Sequence, residues 1–438
     1  MADVFSSGAF AGRLTHRLDG EGPLGVAVSG GGDSVALLYV LAEWGRRPLH
    51  VFCVDHGINP SSAAWTETVA AHAGRVGAAF TPLAWTGAKP ANGLSAAARA
   101  ARHALLGQAA RQAGVGVMCL AHTQDDIAEA GWMRDQGSNV TAPAEWGPSP
   151  AWPEGRGVFL FRPLLDHSRD HLRQYLLARG IGWIDDPANA HPQSLRAQAR
   201  LADKSAPSVI DPLGLSLRDM AALLDLEGAD LGLIALRREV FAGLPDACAR
   251  KVLAAAAVCA GGGDRLPRGD SVDGLMAGLA EGRPRTLCGA RLWQTDTHLL
   301  AVREAGDIGR HAPHGLEVPA DVEAMWDGRF ALRTGQAGAV RSSGEMRAQL
   351  GDADRAHLAR LPAPVRSILP VLDENFPGSA LPKVRLLGQT PQMGVDCVNW
   401  VVPRFVAACG AIDRESLIGL DLAGPAWNRV AKPQTLTI

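Results

Sequence analysis

Val26-Ala-Val-Ser-Gly-Gly-Gly-Asp-Ser-Val-Ala-Leu-Leu38 is an apolar run broken by three glycines and resumed by a second apolar pattern. The first run ends at Ser29. Gly30, Gly31 and Gly32 follow, and Asp33 and Ser34 open a pattern of Val35, Leu37, Leu38 and Leu41. That order reads as a buried strand, a tight turn and a buried helix. Glycines let the backbone approach a ligand and aim successive N–H groups at it, and the helix start adds positive potential, so a phosphate is the natural guest. The turn is not a P-loop, because no Lys-Ser/Thr pair follows its last glycine. Nor is it the dinucleotide fingerprint, whose third glycine would stand near Val35. A purely structural account of the same residues is a turn with Asp33 or Ser34 capping the helix.

Working outward, strands and helices alternate. The pattern predicts strands over Leu24–Val28, Leu49–Asp55, Ala79–Trp85, Val115–Ala121 and Val158–Arg162, with helices over 62–78, 94–113 and 168–180. Alternation at this spacing predicts a doubly wound parallel α/β sheet with right-handed crossovers. Ligands in such sheets lie at the carboxyl ends of the strands. Three candidate motifs fall there: residues 29–34, Asp55-His56-Gly57, and the acidic stretch from His122 to Glu129. In the last of these, Asp126 and Glu129 share a helix face at i, i+3. Thr123 with Asp126 also fits a capping box, so helix capping and cation binding both explain the stretch at this point.

The chain has 438 residues, enough for two or three domains, with 47% hydrophobic and 20% charged residues. A net charge of −2 leaves nucleic-acid binding to local patches. The seven cysteines are scattered and form no CxxC pair, which favours reduced thiols in the cytoplasm over a disulfide frame or zinc site. No signal-peptide pattern and no bilayer-length apolar run is present, so no membrane partner is expected.

Residues 140–157, rich in Pro, Gly and Trp, read as a long surface loop with no regular element. Past residue 201 the character changes through a Pro- and Gly-bearing linker. Residues 215–260 read as helical and 287–303 as two strands about a turn at Asp296-Thr297. Phe330–Arg333 and Val398–Val402 are strand-like.

Ser29-Gly-Gly-Gly-Asp-Ser34 resembles the SGGxDS signature of the PP-loop ATP pyrophosphatases, which cleave ATP between its α- and β-phosphates. The resemblance narrows when the other blocks are added. Asp55-His56-Gly57, the paired Arg99 and Arg102, the His122–Glu129 stretch, Arg162-Pro-Leu-Leu165, Trp183-Ile-Asp-Asp-Pro-Ala-Asn189, and Arg196 with Arg200 follow the order of the tRNA(Ile)-lysidine synthase family. That resemblance is close over residues 24–200 and weak beyond. It implies a PP-loop adenylation domain over 1–205, a mostly helical middle domain with a terminal hairpin over 206–305, and a small mixed α/β C-terminal domain over 306–438 that helps hold tRNA. It further implies that ATP adenylates the wobble cytidine of tRNA(Ile) with a CAU anticodon and that free L-lysine displaces AMP.

On this reading Ser29, Gly30, Gly31, Gly32, Asp33, Ser34, Asp55 and His56 bind ATP. Asp33 is the candidate Mg²⁺ ligand, and Asp126 and Glu129 bind the lysine ammonium. Asp33, His122, Asp125, Asp126 and Glu129 form the catalytic group, while Arg99, Arg102, Arg162, Arg196 and Arg200 meet tRNA or phosphate. A second copy of the chain is a further expected partner.

The chain departs from the family pattern at Ile58, Asn59, His103, Thr123, Ile127, Ala130 and Asp135, which touches RNA docking more than the adenylation residues. A 2-thiolase of the same superfamily is the alternative enzyme, and it would need the CxxC pair that is missing. A non-catalytic nucleotide-binding scaffold is the other alternative, and its mark would be loss of Asp33 or the acidic motif.

Overall fold

The computed structural model describes residues 5, 8–59, 61–138, 140, 142–185, 199, 214–311, 315–374, 384–387 and 394–421. The chain divides into two compact units, one comprising residues 1–212 with 412–418 and the other 213–411 with 419–438.

The first unit is built on a six-stranded sheet. Its elements in order are α1 (Gly8–Arg17), β1 (Leu24–Ala27), α2 (Gly32–Trp44), β2 (Leu49–Asp55), α3 (Ser62–Arg75), β3 (Ala79–Ala84), α4 (Leu94–Gln112), β4 (Val117–Cys119), α5 (Gln124–Asp135), β5 (Trp146–Pro148), β6 (Phe159–Phe161) and α6 (Arg169–Ala178). The strand order is β3-β2-β1-β4-β6-β5, parallel except for β5. The central strands carry apolar residues on both faces because helices cover both. Val26, Val51, Val117 and Phe161 are fully buried, each worth roughly 1.5–3 kcal/mol on removal from water. The chain runs from β1 outward to β3 and then returns to the other side of β1 at β4. The switch point, where such sheets hold their ligands, is therefore the cleft between the ends of β1 and β4.

Residues 140–157 correct the sequence reading of a loop with no regular element. Trp146–Pro148 form an edge strand antiparallel to β6. An edge tolerates Pro148, whose missing N–H needs no partner there. The Trp146 ring packs on Phe159 and Phe161, so burial of an aromatic overrides the breaker composition.

Residues 412–418 rejoin this first unit. Arg47 and Glu415 form a nearly buried ion pair, with Nη2 and Oε1 3.0 Å apart. Arg17 Nη1 and Trp146 Nε1 donate to the carbonyls of Asp413 and Ile412 at 2.6 and 2.7 Å, and Ser416 donates twice to Asp19.

In the second unit a five-stranded sheet is ordered β7-β8-β11-β10-β9, from β7 (Leu224–Asp225), β8 (Ile234–Arg237), β9 (Arg285–Leu287), β10 (Ala290–Gln294) and β11 (His298–Arg303). The spacing predicts helix throughout 215–260, and the structure corrects this. Helix Leu217–Leu223 stops where Leu224 turns extended, and two strands follow before helix Asp246–Gly261. A run of adjacent leucines fits either period, and here pairing with β11 decides. The hairpin predicted over 287–303 is present as β10 and β11.

Two smaller sheets follow. One joins β12 (Leu316–Val318), β15 (Gly338–Ser342), β16 (Pro370–Asp373) and β17 (Val384–Leu386), and the other joins β13 (Ala324–Trp326), β14 (Phe330–Thr334) and β18 (Val395–Asn399). The strand expected over 398–402 ends at Asn399, and helix Val401–Ala408 takes the remaining valines into the core. One apolar cluster contains Leu231, Val302 and Ile308 together with Trp326, Phe330 and Val371, so it draws on residues either side of 305.

Candidate active site

The glycine turn is braced from within. Ser29 N–H donates to Ser34 Oγ at 3.2 Å, and Ser34 Oγ donates to the Gly31 carbonyl at 2.9 Å. Gly31 is the N-cap of α2 and has no side chain to cap the helix, so the cap role expected of Asp33 or Ser34 is not what starts it. Asp33 instead lies in the first turn. Gly30 has φ +89°, open to glycine but strained for other residues. A Cβ there would meet Ile184 Cδ1 at 2.5 Å, and the Ile184 N–H donates to the Gly30 carbonyl at 2.9 Å. A Cβ at Gly32 would lie 3.5 Å from the Trp183 ring. The Trp183-Ile184 pair therefore backs the turn, a contact no spacing rule announces. Residues 186–189, Arg196 and Arg200 lie outside the described residues.

At the end of β2, Asp55 Oδ1 accepts the Gly57 N–H at 2.7 Å and shapes the turn. His56 stands edge-on to Trp85, and its buried Nδ1 has no hydrogen-bond partner among the described residues. Burial, then the charge of Arg102, lowers its pKa, so the ring is neutral.

At the end of β4 the acidic stretch takes shape. Thr123 is the N-cap of α5, and Asp126 Oδ2 accepts from its N–H at 2.9 Å and its hydroxyl at 3.2 Å. The capping reading therefore holds. It does not exhaust the site, because Asp126 and Glu129 are both buried, with Glu129 only 1% exposed. Their partner is Arg169, the first residue of α6. Its Nη1 donates to Glu129 Oε1 at 3.0 Å, its Nε to Asp33 Oδ2 at 3.1 Å, and its Nη2 lies 3.6 Å from Asp126 Oδ1. The Arg169 backbone N–H donates to Asp125 Oδ2 at 2.8 Å. One guanidinium thus joins the phosphate-type turn to the acidic helix. Burial raises the pKa of Asp33, with Arg169 opposing the shift and Asp126 adding to it. Arg169 is pushed above its ordinary range by Asp126, Asp33 and Glu129, against a desolvation that works the other way.

Arg162, at the end of β6, donates from Nε to His122 Nδ1 at 3.1 Å and from Nη1 to the Ala144 carbonyl at 2.7 Å. Burial, then repulsion from Arg99 and Arg102, brings its pKa down to about 10. The same arginines surround His103, whose pKa falls to about 3, burial being the largest cause. A histidine held neutral this way stabilises the fold above its ordinary value of 6.5. That stabilisation is lost as pH falls, because below 6.5 the unfolded chain binds a proton that the folded one refuses. His103→Gln is expected to flatten the loss between pH 6.5 and 3 by up to about 1.4 kcal/mol per unit. Urea unfolding of both proteins at a series of pH values measures it, and equal slopes would refute it.

Of the residues expected from sequence, the structure brings Asp33, Asp126 and Glu129 onto one guanidinium, with Asp125 on the backbone N–H of the same residue, and Arg99, Arg102, Arg162 and His122 into one basic group. Arg169, Trp183 and Ile184 are additions. Among the described residues no group of three or more His, Cys, Asp or Glu is placed to hold a metal ion.

A family model described as a PP-loop domain matches residues 9–202. The tRNA(Ile)-lysidine synthase of Caulobacter vibrioides is 40% identical over 417 residues, 92% of this chain and 98% of that one. Those of Ruegeria pomeroyi and Hyphomonas neptunium are each 35% identical, over 74% and 68% of this chain and 79% and 86% of theirs. With the glycine turn, the acidic helix and the basic group all at the carboxyl edge of one sheet, and with one relative matching nearly end to end, this chain is an ATP-utilising enzyme that belongs to the tRNA(Ile)-lysidine synthase family.

Proposed function

We propose that this chain ligates free L-lysine to C2 of the wobble cytidine of a tRNA(Ile) with a CAU anticodon. ATP activates O2 of that base as an adenylate, releasing pyrophosphate. The ε-amine of lysine then attacks C2, loses a proton, and displaces AMP. The observation that carries the reading is the joining of a phosphate-type turn and a buried carboxylate pair across the switch point of the sheet.

The turn's backbone N–H groups lie at a helix start and, with Ser29 and Ser34, hold the β- and γ-phosphates. Asp55 and His56 line the nucleotide side. Mg²⁺ fits the donor set in the way usual for it, bound through one carboxylate plus substrate phosphates. Asp33 would hold it, as the one carboxylate in the glycine turn, sharing its charge with Arg169 at 3.1 Å. When bound, the ion offsets charge on the phosphates. Asp126 and Glu129 attract the lysine ammonium, which must lose a proton before it can attack.

His122 Nδ1 already accepts from Arg162, so in the neutral ring the hydrogen sits on Nε2 and His122 orients by donating. Asp125 takes the proton: its Oδ2 is engaged by Arg169 N–H, and Oδ1 has no hydrogen bond among the described residues. Arg99, Arg102 and Arg162 form a cationic face for RNA phosphate, and Arg196 and Arg200, outside the described residues, are proposed for the same role by sequence alone.

Residues 206–305 are proposed as a middle domain and 306–438 as a C-terminal domain that holds tRNA, although 206–212 and 412–418 group with the first unit. No helix among the described residues is long and apolar enough to cross a membrane. None of the seven cysteines is bridged, in keeping with a cytoplasmic setting.

The test is incorporation of labelled lysine into a tRNA(Ile)(CAU) transcript with ATP and Mg²⁺. Label in tRNA with matching AMP and pyrophosphate is the expected result. Pyrophosphate release without label would discard lysine as nucleophile, and no reaction with any tRNA would discard the ligase.

A further inference from the structure

We infer that Arg169 is a positioning residue that couples the adenylation side of the site to the amine side, and that lysine capture depends on its fork-shaped head. The inference rests on the ligase reading above and deepens it. Asp33 comes from α2 and Asp126 and Glu129 from α5, 136 and about 40 residues away from Arg169 in sequence. These elements follow β1 and β4, the two strands that flank the switch point. Only a donor with several N–H groups fixed in one plane can reach three carboxylates from two helices at once.

The backbone adds a fourth tie, from Arg169 N–H to Asp125, and Ser168 caps α6 by accepting the His171 N–H. The anchor of the guanidinium is therefore itself fixed. Three carboxylates meet the one guanidinium, with Arg173 a more distant contribution at Asp33. On the ligase reading the lysine ammonium is received by these carboxylates, provided they stay apart and pointed inward. Without Arg169 they repel one another in a largely water-excluded setting and turn outward or take up protons, and either change removes the seat for an ammonium.

The experiment compares wild type, Arg169→Gln and Arg169→Lys in labelled-lysine incorporation over a range of lysine concentrations. Pyrophosphate release without lysine and tRNA retention on filters are followed in parallel. Arg169→Gln is expected to raise the KM for lysine by about tenfold or more, in line with loss of charge-assisted hydrogen bonds, while tRNA retention is unchanged. Arg169→Lys keeps the charge but not the fork, so it should restore stability and the lysine KM only in part. An unchanged lysine KM in Arg169→Gln, with wild type active, would overturn the inference and leave the ligase reading standing. A fall in kcat and in thermal midpoint with no change in KM would also overturn it, showing a purely structural residue. Wild type that makes no lysidine would overturn the ligase reading, and the inference with it.

Discussion

Asp33→Ala is expected to lower lysine incorporation by at least about a thousandfold, equal to about 4 kcal/mol of lost transition-state stabilisation. Asp33 is the one carboxylate in the glycine turn, and it sits in the first turn of α2 where the phosphates would lie. It also anchors Arg169 through Nε. A carboxylate beside phosphate is repulsive on its own, so its presence in that turn makes chemical sense only if a cation stands between them. The stability effect should run the other way. Burial raises the pKa of Asp33, so the folded state holds its ionised form at a cost that grows as pH rises through that value. Asp33→Asn removes the charge and keeps the shape. It is expected to lose activity as Asp33→Ala does while melting at the wild-type temperature or above it. Pyrophosphate release without lysine should fall in step with incorporation, since the defect lies in adenylation. Normal pyrophosphate release from Asp33→Ala would place the residue outside that step.

Much of the first unit could be read from sequence because its signals are local. A parallel strand covered on both faces is a continuous apolar run, and β2 begins and ends where such a run does, at Leu49 and Asp55. The glycine turn is similarly explicit, since Gly30 needs both its positive φ and the room that Ile184 denies a side chain. Local signals also explain the errors. Pro148 and Gly147 read as breakers, yet an edge strand with Trp146 packed beneath it tolerates both. Leu223 and Leu224 look like one helix face, yet pairing of β7 and β8 turns the second of them into a strand.

The site's cation was invisible for a different reason. A lone arginine at the start of an amphipathic helix looks like a solvated residue. Arg169 acquires its meaning from Asp33 and Glu129, which only the sheet topology brings to it. The same holds for Glu415, whose partner Arg47 is 368 residues away. Spacing could place Asp126 on the face of Glu129. It could not show that both were already buried against a guanidinium.

Glu129 is the residue where that distinction has the largest consequence for folding. At 1% exposure its carboxylate meets Arg169 Nη1 at 3.0 Å. Glu129→Ala leaves a half-buried guanidinium short of a counter-charge and opens a small cavity, and is expected to cost about 3 kcal/mol. It should also lower lysidine formation by more than about tenfold through loss of a charge-assisted hydrogen bond. Glu129→Gln separates the two effects. Its amide oxygen can still accept from Nη1, so the stability cost should shrink to about 1 kcal/mol, while the missing charge weakens capture of an ammonium. The double variant Glu129→Gln with Arg169→Gln removes both charges at once. If the pair mainly satisfies itself, the double variant should be more stable than the sum of the single effects, because neither group is left charged and unpartnered. Its activity should remain low, because stability returns with charge balance but an amine site does not. Urea unfolding and lysine KM measured on the four proteins read these quantities independently. Recovery of both stability and activity in the double variant would mean that Glu129 serves only Arg169 and has no part in binding lysine.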